Sequence, residues 1–120
     1  MNRVRVLTVP GLGYTKDEAV RTIVGEAADQ GLRGMQMVAE TIRARGSLKG
    51  CYGITADHIN TEPAWVWRKA YLAWERSANT KWARGATGWG SKEDFKKKRW
   101  AKGKFIVARY KNQLFYKERI

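Results

Sequence analysis

Apolar positions recur at helical spacing over residues 16–45 and 63–78, and the chain turns to β-branched and aromatic residues over 105–116. Before the first helical stretch, Arg3-Val4-Arg5-Val6 alternates charge with valine and predicts a short strand over Arg3–Val9 with one covered face. Pro10-Gly11-Leu12-Gly13 then breaks the chain. Thr15 followed three places later by Glu18 is a capping-box pattern, so a helix is expected to start at about Lys16. Ala19, Val20, Ile23, Val24 and Ala27 give it a buried stripe, and Gly31 marks its end. A second helix is expected over Leu32–Arg45. Leu32, Met35, Val38, Ala39 and Ile42 face inward, and Arg33, Glu40, Arg43 and Arg45 face water. Gly46 suits its C′ position, where a left-handed conformation costs glycine little.

Residues Ser47–Asn60 have no clear period and predict a loop. Thr61-Glu62-Pro63 opens a third helix, with proline in the first turn where no donor is missed. Trp67, Ala70, Tyr71, Trp74 and Ala78 fall on one side of it. The period is then lost until Ser91, which with Asp94 caps a short basic helix, Lys92–Lys102. Phe105–Tyr110 and Leu114–Tyr116 predict a hairpin through Lys111-Asn112-Gln113. At 120 residues the chain has room for one core and not two. The pattern therefore predicts a single small α+β domain, mainly helical, with a C-terminal hairpin.

Charge changes this picture more than composition does. Twenty-four Lys and Arg against 11 Asp and Glu leave a net +13, which calls for an anionic partner and a salt-sensitive association. Nucleic acid, an anionic membrane and an anionic cell wall all meet that requirement. The most concentrated basic segment is Lys92–Lys104, which includes Lys96-Lys97-Lys98-Arg99. No apolar run approaches the ~18 residues of a membrane span, and the amino terminus has no apolar stretch long enough for a signal peptide. One cysteine and one histidine exclude an internal disulfide and leave a zinc site short of ligands, so neither a metal nor another cofactor is expected.

Glu26 is the carboxylate that stands out. It lies seven residues after Ala19 and three after Ile23, at the edge of the apolar stripe. The helix C-terminus and partial burial both disfavour its charged form there, which is the requirement for a general acid. Gly25, Ala27 and Ala28 beside it are small enough for a ligand to approach. A solvated glutamate paired with Arg21 or Arg33 is the structural alternative.

Gly25-Glu26-Ala27, then Gly34, then Val38-Ala39-x-x-Ile42-x-x-Arg45 resembles the signature of the SleB-type cell-wall hydrolases, in register and without a gap. Pro63-Ala64-Trp65, Gly85-Ala86-Thr87, Trp100 and Leu114-Phe115-Tyr116 are similar to the later blocks of that family, so the resemblance covers roughly residues 20–117. The chain departs from the pattern at Gln30, Met35, Ala44, Gly88 and Lys111-Asn112-Gln113. The resemblance implies a lysozyme-like fold and cleavage of peptidoglycan glycan strands, as a lytic transglycosylase or muramidase, with Glu26 as general acid and base. It implies substrate contacts from Thr87, Trp100 and Tyr116 and, adjacent to the motif position held by Met35, from Gln36.

Trp89 joins Trp100 as an aromatic flank for a sugar ring, while most of the other tryptophans are expected in the core. A two-carboxylate hydrolase would need a second acid, for which Asp29, Glu40, Asp57 and Glu62 are the nearby choices. None belongs to a motif, so the one-glutamate mechanism is preferred. Cys51 and His58 lack the signature of a thiol nucleophile and base, and an idle or buried thiol is preferred. Pro10-Gly11-Leu12-Gly13 lacks the lysine-serine pair of a phosphate-binding loop. The expected unit is a monomer acting at the bacterial cell wall, made in the cytoplasm and released at lysis or carried in a virion. The rival readings are a small basic nucleic-acid-binding module and a non-catalytic wall-binding protein.

Overall fold

The computed structural model describes residues 13–51 and 53–119. The expected strand at Arg3–Val9 lies outside them. The first helix, α1 (Lys16–Ala27), starts where the capping box places it. The Thr15 hydroxyl accepts from the Glu18 N–H at 3.1 Å and the Glu18 carboxylate accepts from the Thr15 N–H at 2.8 Å. It stops before Gly31, which instead starts the second helix, α2 (Gly31–Arg45), with a φ of +74°. That left-handed residue lets the chain reverse between two packed helices. At the far end Gly46 takes the expected left-handed cap, its N–H donating to the Ile42 carbonyl at 2.8 Å.

Glu40 corrects the expected wet face of α2. It is buried, and its carboxylate accepts from the Ala83 N–H at 2.7 Å and from the Thr80 hydroxyl. A buried carboxylate with these donors is satisfied, and it ties the 80–86 loop to α2.

Two short 3₁₀ turns, Gly53–Thr55 and Asp57–Thr61, occupy the segment expected as loop. The third helix, α3 (Ala64–Ser77), begins just after Pro63. Its buried stripe is Val66, Ala70, Ala73, Trp74 and Ser77, which leaves Tyr71 and Ala78 of the expected stripe exposed. Tyr71 instead donates its hydroxyl to Asp17 at 2.6 Å, binding α3 to α1. The basic helix is broken into two single turns, α4 (Lys92–Phe95) and α5 (Lys98–Ala101), with the Ser91/Asp94 capping box in place.

The hairpin is present as β2 (Lys104–Tyr110) and β3 (Gln113–Glu118), with a bulge between Ile106 and Ala108. A third strand that the periodicity did not announce, β1 (Gly88–Ser91), pairs antiparallel with β3 and makes the sheet order β1-β3-β2. Gly-Trp-Gly-Ser has poor strand propensity. Its glycines are nevertheless required. A Cβ on Gly88 would sit 2.2 Å from the Tyr116 ring, and one on Gly90 would sit 2.5 Å from the Trp100 ring.

The three long helices and β3 share one core around Ile23, Met35, Met37, Ile42 and Phe115. The six tryptophans correct another expectation, since only Trp74 is buried, while Trp65 and Trp82 are exposed at 52% and 40%. The last turn of α1 meets the first 3₁₀ turn backbone to backbone. A Cβ on Gly25 would lie 1.8 Å from the Gly53 carbonyl oxygen, a clash that no side-chain rotation relieves. Gly25→Ala should therefore cost about 2 kcal/mol or more in a denaturant titration, as overpacking against fixed backbone does.

Candidate active site

Glu26 sits in the last turn of α1 and is held on two sides. Its carboxylate accepts from the Gly53 N–H at 2.8 Å and from the Trp89 indole N–H at 3.0 Å. Its backbone carbonyl accepts from the Gln113 amide at 3.3 Å. A helix end, a 3₁₀ turn and two strands thus converge on one residue. Gly53 has to be glycine for this approach, because a Cβ there would meet the Glu26 side chain at 2.6 Å.

The carboxylate opens into a cavity of about 500 Å³ that also takes in Trp89, Trp100 and Tyr116. Four of the six residues expected at the site are therefore brought together. Trp100, Tyr116 and Phe95 stack edge to face in a closed set, with centroids 5.0, 5.6 and 5.8 Å apart. Lys104 lies over two of these rings, 4.5 Å from Trp100 and 5.5 Å from Tyr116, and donates to the Trp100 carbonyl at 2.6 Å. The result is an aromatic wall with a cation over two of its rings. Burial raises the Tyr116 hydroxyl above its ordinary value, so it is a neutral donor at physiological pH.

Two expected residues lie elsewhere. Gln36 is buried in the core, where its amide donates to the Thr80 hydroxyl at 3.0 Å, and it does not line the cavity. Thr87 precedes β1, with its N–H bonded to the Tyr116 carbonyl at 2.9 Å, and it too is outside the cavity lining. Conversely, Arg45, Asp94, Lys104 and Glu118 line the cavity without having been singled out as site residues. Arg45 closes the helical motif that contains Glu26, so a signal for it was present. Asp94 and Glu118 carry none, because the sheet and the α4 turn bring them in.

None of the four candidate second acids lines the main cavity. Asp29 and Glu62 share with Glu26 a separate recess of about 300 Å³, on which His58 also lies. Glu40 is the buried anchor described above, and Asp57 lines neither opening. The carboxylates inside the main cavity are engaged. Asp94 accepts from the Ser91 N–H at 2.9 Å with Lys97 at 3.8 Å, and Glu118 faces Lys104 at 3.9 Å.

The ring nitrogens of His58 are held by Glu62 at 2.7 Å and the Gly25 carbonyl at 3.2 Å, so they are not directed at Cys51. Among the described residues no cluster of three or more His, Cys, Asp or Glu is placed to hold a metal ion, and no helix is long and apolar enough to cross a membrane. The chain matches no family model, and no curated protein or solved structure matches it either.

Burial raises the Cys51 thiol above its ordinary value near 9; Arg45 opposes this shift and Glu26 adds to it. The reactive species toward an alkylating reagent is the thiolate. Iodoacetamide should therefore label Cys51 slowly at pH 7 and appreciably only above pH 9, as followed by intact mass. Rapid labelling at neutral pH would show a preformed thiolate and return Cys51 to the list of nucleophiles.

Proposed function

We propose that this protein cleaves the glycan strands of bacterial peptidoglycan, with Glu26 as the single catalytic acid and base. The observation that carries the reading is a carboxylate fixed by two N–H donors at the mouth of a 500 Å³ cavity with an aromatic wall. Helices packed on a small antiparallel sheet, with the acid between them, suit a lysozyme-like arrangement. Aromatic faces suit sugar rings, and Trp89, Trp100 and Tyr116 supply them beside the acid.

In this mechanism Glu26 gives its proton to the glycosidic oxygen as the bond to the muramic carbon breaks. The Gly53 and Trp89 N–H groups then stabilise the carboxylate that is left. That carboxylate accepts the proton of the muramic 6-hydroxyl as this oxygen closes on the anomeric carbon. No second acid is needed, which fits the engagement of Asp94 by Ser91 and of Glu118 by Lys104. The Tyr116 hydroxyl and the Arg45 guanidinium are within the same cavity and can orient the peptide-bearing sugar.

Glu26→Gln keeps the shape and removes the proton. Clearing of purified cell walls should fall by roughly 100-fold or more, the usual contribution of a positioned acid, while the melting temperature falls modestly because the new NH2 faces one of the two N–H donors. Clearing that survives at near wild-type rate would remove Glu26 from the chemistry. A nucleic-acid-binding module would be indifferent to the substitution, so binding of oligonucleotides by the same variant separates that class from this one.

A further inference from the structure

Away from Glu26, three arginines from three distant segments line one recess of about 360 Å³: Arg33 of α2, Arg84 of the loop tied down by Glu40, and Arg109 of β2. Among the described residues no carboxylate lies within ion-pair distance of any of them. The lysines of the 92–104 segment differ, since Lys96, Lys97 and Lys104 each have an acid within 4.0 Å. The most basic stretch of sequence is therefore partly neutralised, and the recess is not.

The recess is also organised. The Arg33 guanidinium lies 4.8 Å from the Trp82 ring and 5.9 Å from the Tyr110 ring, which limits its freedom. Arg84 has a φ of +55° and is followed by Gly85 at +78°. A left-handed arginine is uncommon and costs free energy, and here the bond from the Ala83 N–H to buried Glu40 at 2.7 Å holds the preceding residue.

We propose that the Arg33, Arg84 and Arg109 recess binds the phosphodiester groups of a polyol-phosphate wall polymer. Guanidinium forks match phosphate oxygens two at a time. The rings at this site each have a cation over them, Arg33 over Trp82, and Arg33 and Lys111 (5.5 Å) over Tyr110, which leaves less of their surface for stacking on a nucleobase. The choice of a wall polymer rests on the function proposed for Glu26, whereas the capture of phosphate does not. A recess of this kind would hold the enzyme on the wall while the cavity works on the glycan.

The test is binding of the full chain to poly(glycerol phosphate), with oligothymidylate of matched charge as the competing class. Arg33→Gln, Arg84→Gln and Arg109→Gln combined should weaken polymer binding roughly tenfold or more, since each removes a charged hydrogen-bonding group. Arg68→Gln, Arg76→Gln and Arg99→Gln combined remove the same charge elsewhere and should weaken it far less. A second measurement needs no variant. On the wild-type protein, poly(glycerol phosphate) should protect Arg33, Arg84 and Arg109 from phenylglyoxal, read by peptide mass, and leave Arg68 and Arg76 open. Equal losses in the two triple variants, or uniform protection, would reduce the effect to diffuse charge and overturn the proposal. Tighter binding of oligothymidylate that depends on the same three arginines would overturn it in favour of a nucleic-acid site. Glu26→Gln should bind the polymer as wild type does, so the failure of one reading is distinguishable from failure of the other.

Discussion

The close approach of Gly25 to Gly53 is the constraint on which the site depends. Two backbones meet there with no room for a side chain on either, and the Gly53 N–H consequently lands on the Glu26 carboxylate at 2.8 Å. Helix α1 by itself would leave Glu26 as a polar residue on a helix edge. The 3₁₀ turn converts it into a fixed group with one face on the cavity, and the Trp89 indole from β1 completes the clamp. The same contact decides what lies on either side. Cys51 falls in the cavity and His58 in the smaller recess, where Gly25 and Glu62 hold it.

A second constraint is the disposal of charge. Twenty-four cationic side chains share 11 acidic ones, so most cannot have a carboxylate partner. Aromatic faces take part of that role. Five of the six tryptophans have a cation over the ring: Lys69 over Trp65, Arg21 over Trp67, Arg43 over Trp74, Arg33 over Trp82 and Lys104 over Trp100. Such pairs hold long side chains against the surface while leaving their charge to the solvent or a ligand. Trp89 is the sixth, and its indole N–H goes to Glu26. Apart from buried Trp74, the tryptophans expected as core thus serve largely to hold cations on a basic surface.

Local rules were legible in the chain wherever side chains act on their own backbone. Thr15 and Glu18, Ser91 and Asp94, and Gly46 cap their helices as the sequence predicts. Glu26 was singled out by the Gly25-Glu26-Ala27 resemblance rather than by its stripe alone, and it lies on the cavity with Trp89, Trp100 and Tyr116. What escaped was set by partners remote in sequence. Strand β1 was missed because the period is lost before Ser91, and only the rings of Tyr116 and Trp100 explain Gly88 and Gly90. Glu40 looked like a surface residue of α2 because its donors, Thr80 and Ala83, are some forty residues away and have no periodicity. Gln36 was placed at the site from its adjacency to a motif position, yet the helix phase turns it into the core toward Thr80.

If Glu26 acts alone, as proposed, the product records it most directly. In the proposed reaction Asp94 and Glu118 are already engaged by Ser91 and Lys104, and the muramic 6-hydroxyl has the advantage of being intramolecular. Digestion of purified walls in heavy-oxygen water, followed by mass spectrometry of the fragments, distinguishes the alternatives. The account predicts 1,6-anhydro ends, one water lighter than hydrolysed ends and free of the heavy label. Reducing ends carrying the label would contradict it and would make Asp94 and Glu118, the other carboxylates of the cavity, the first places to look for a second acid.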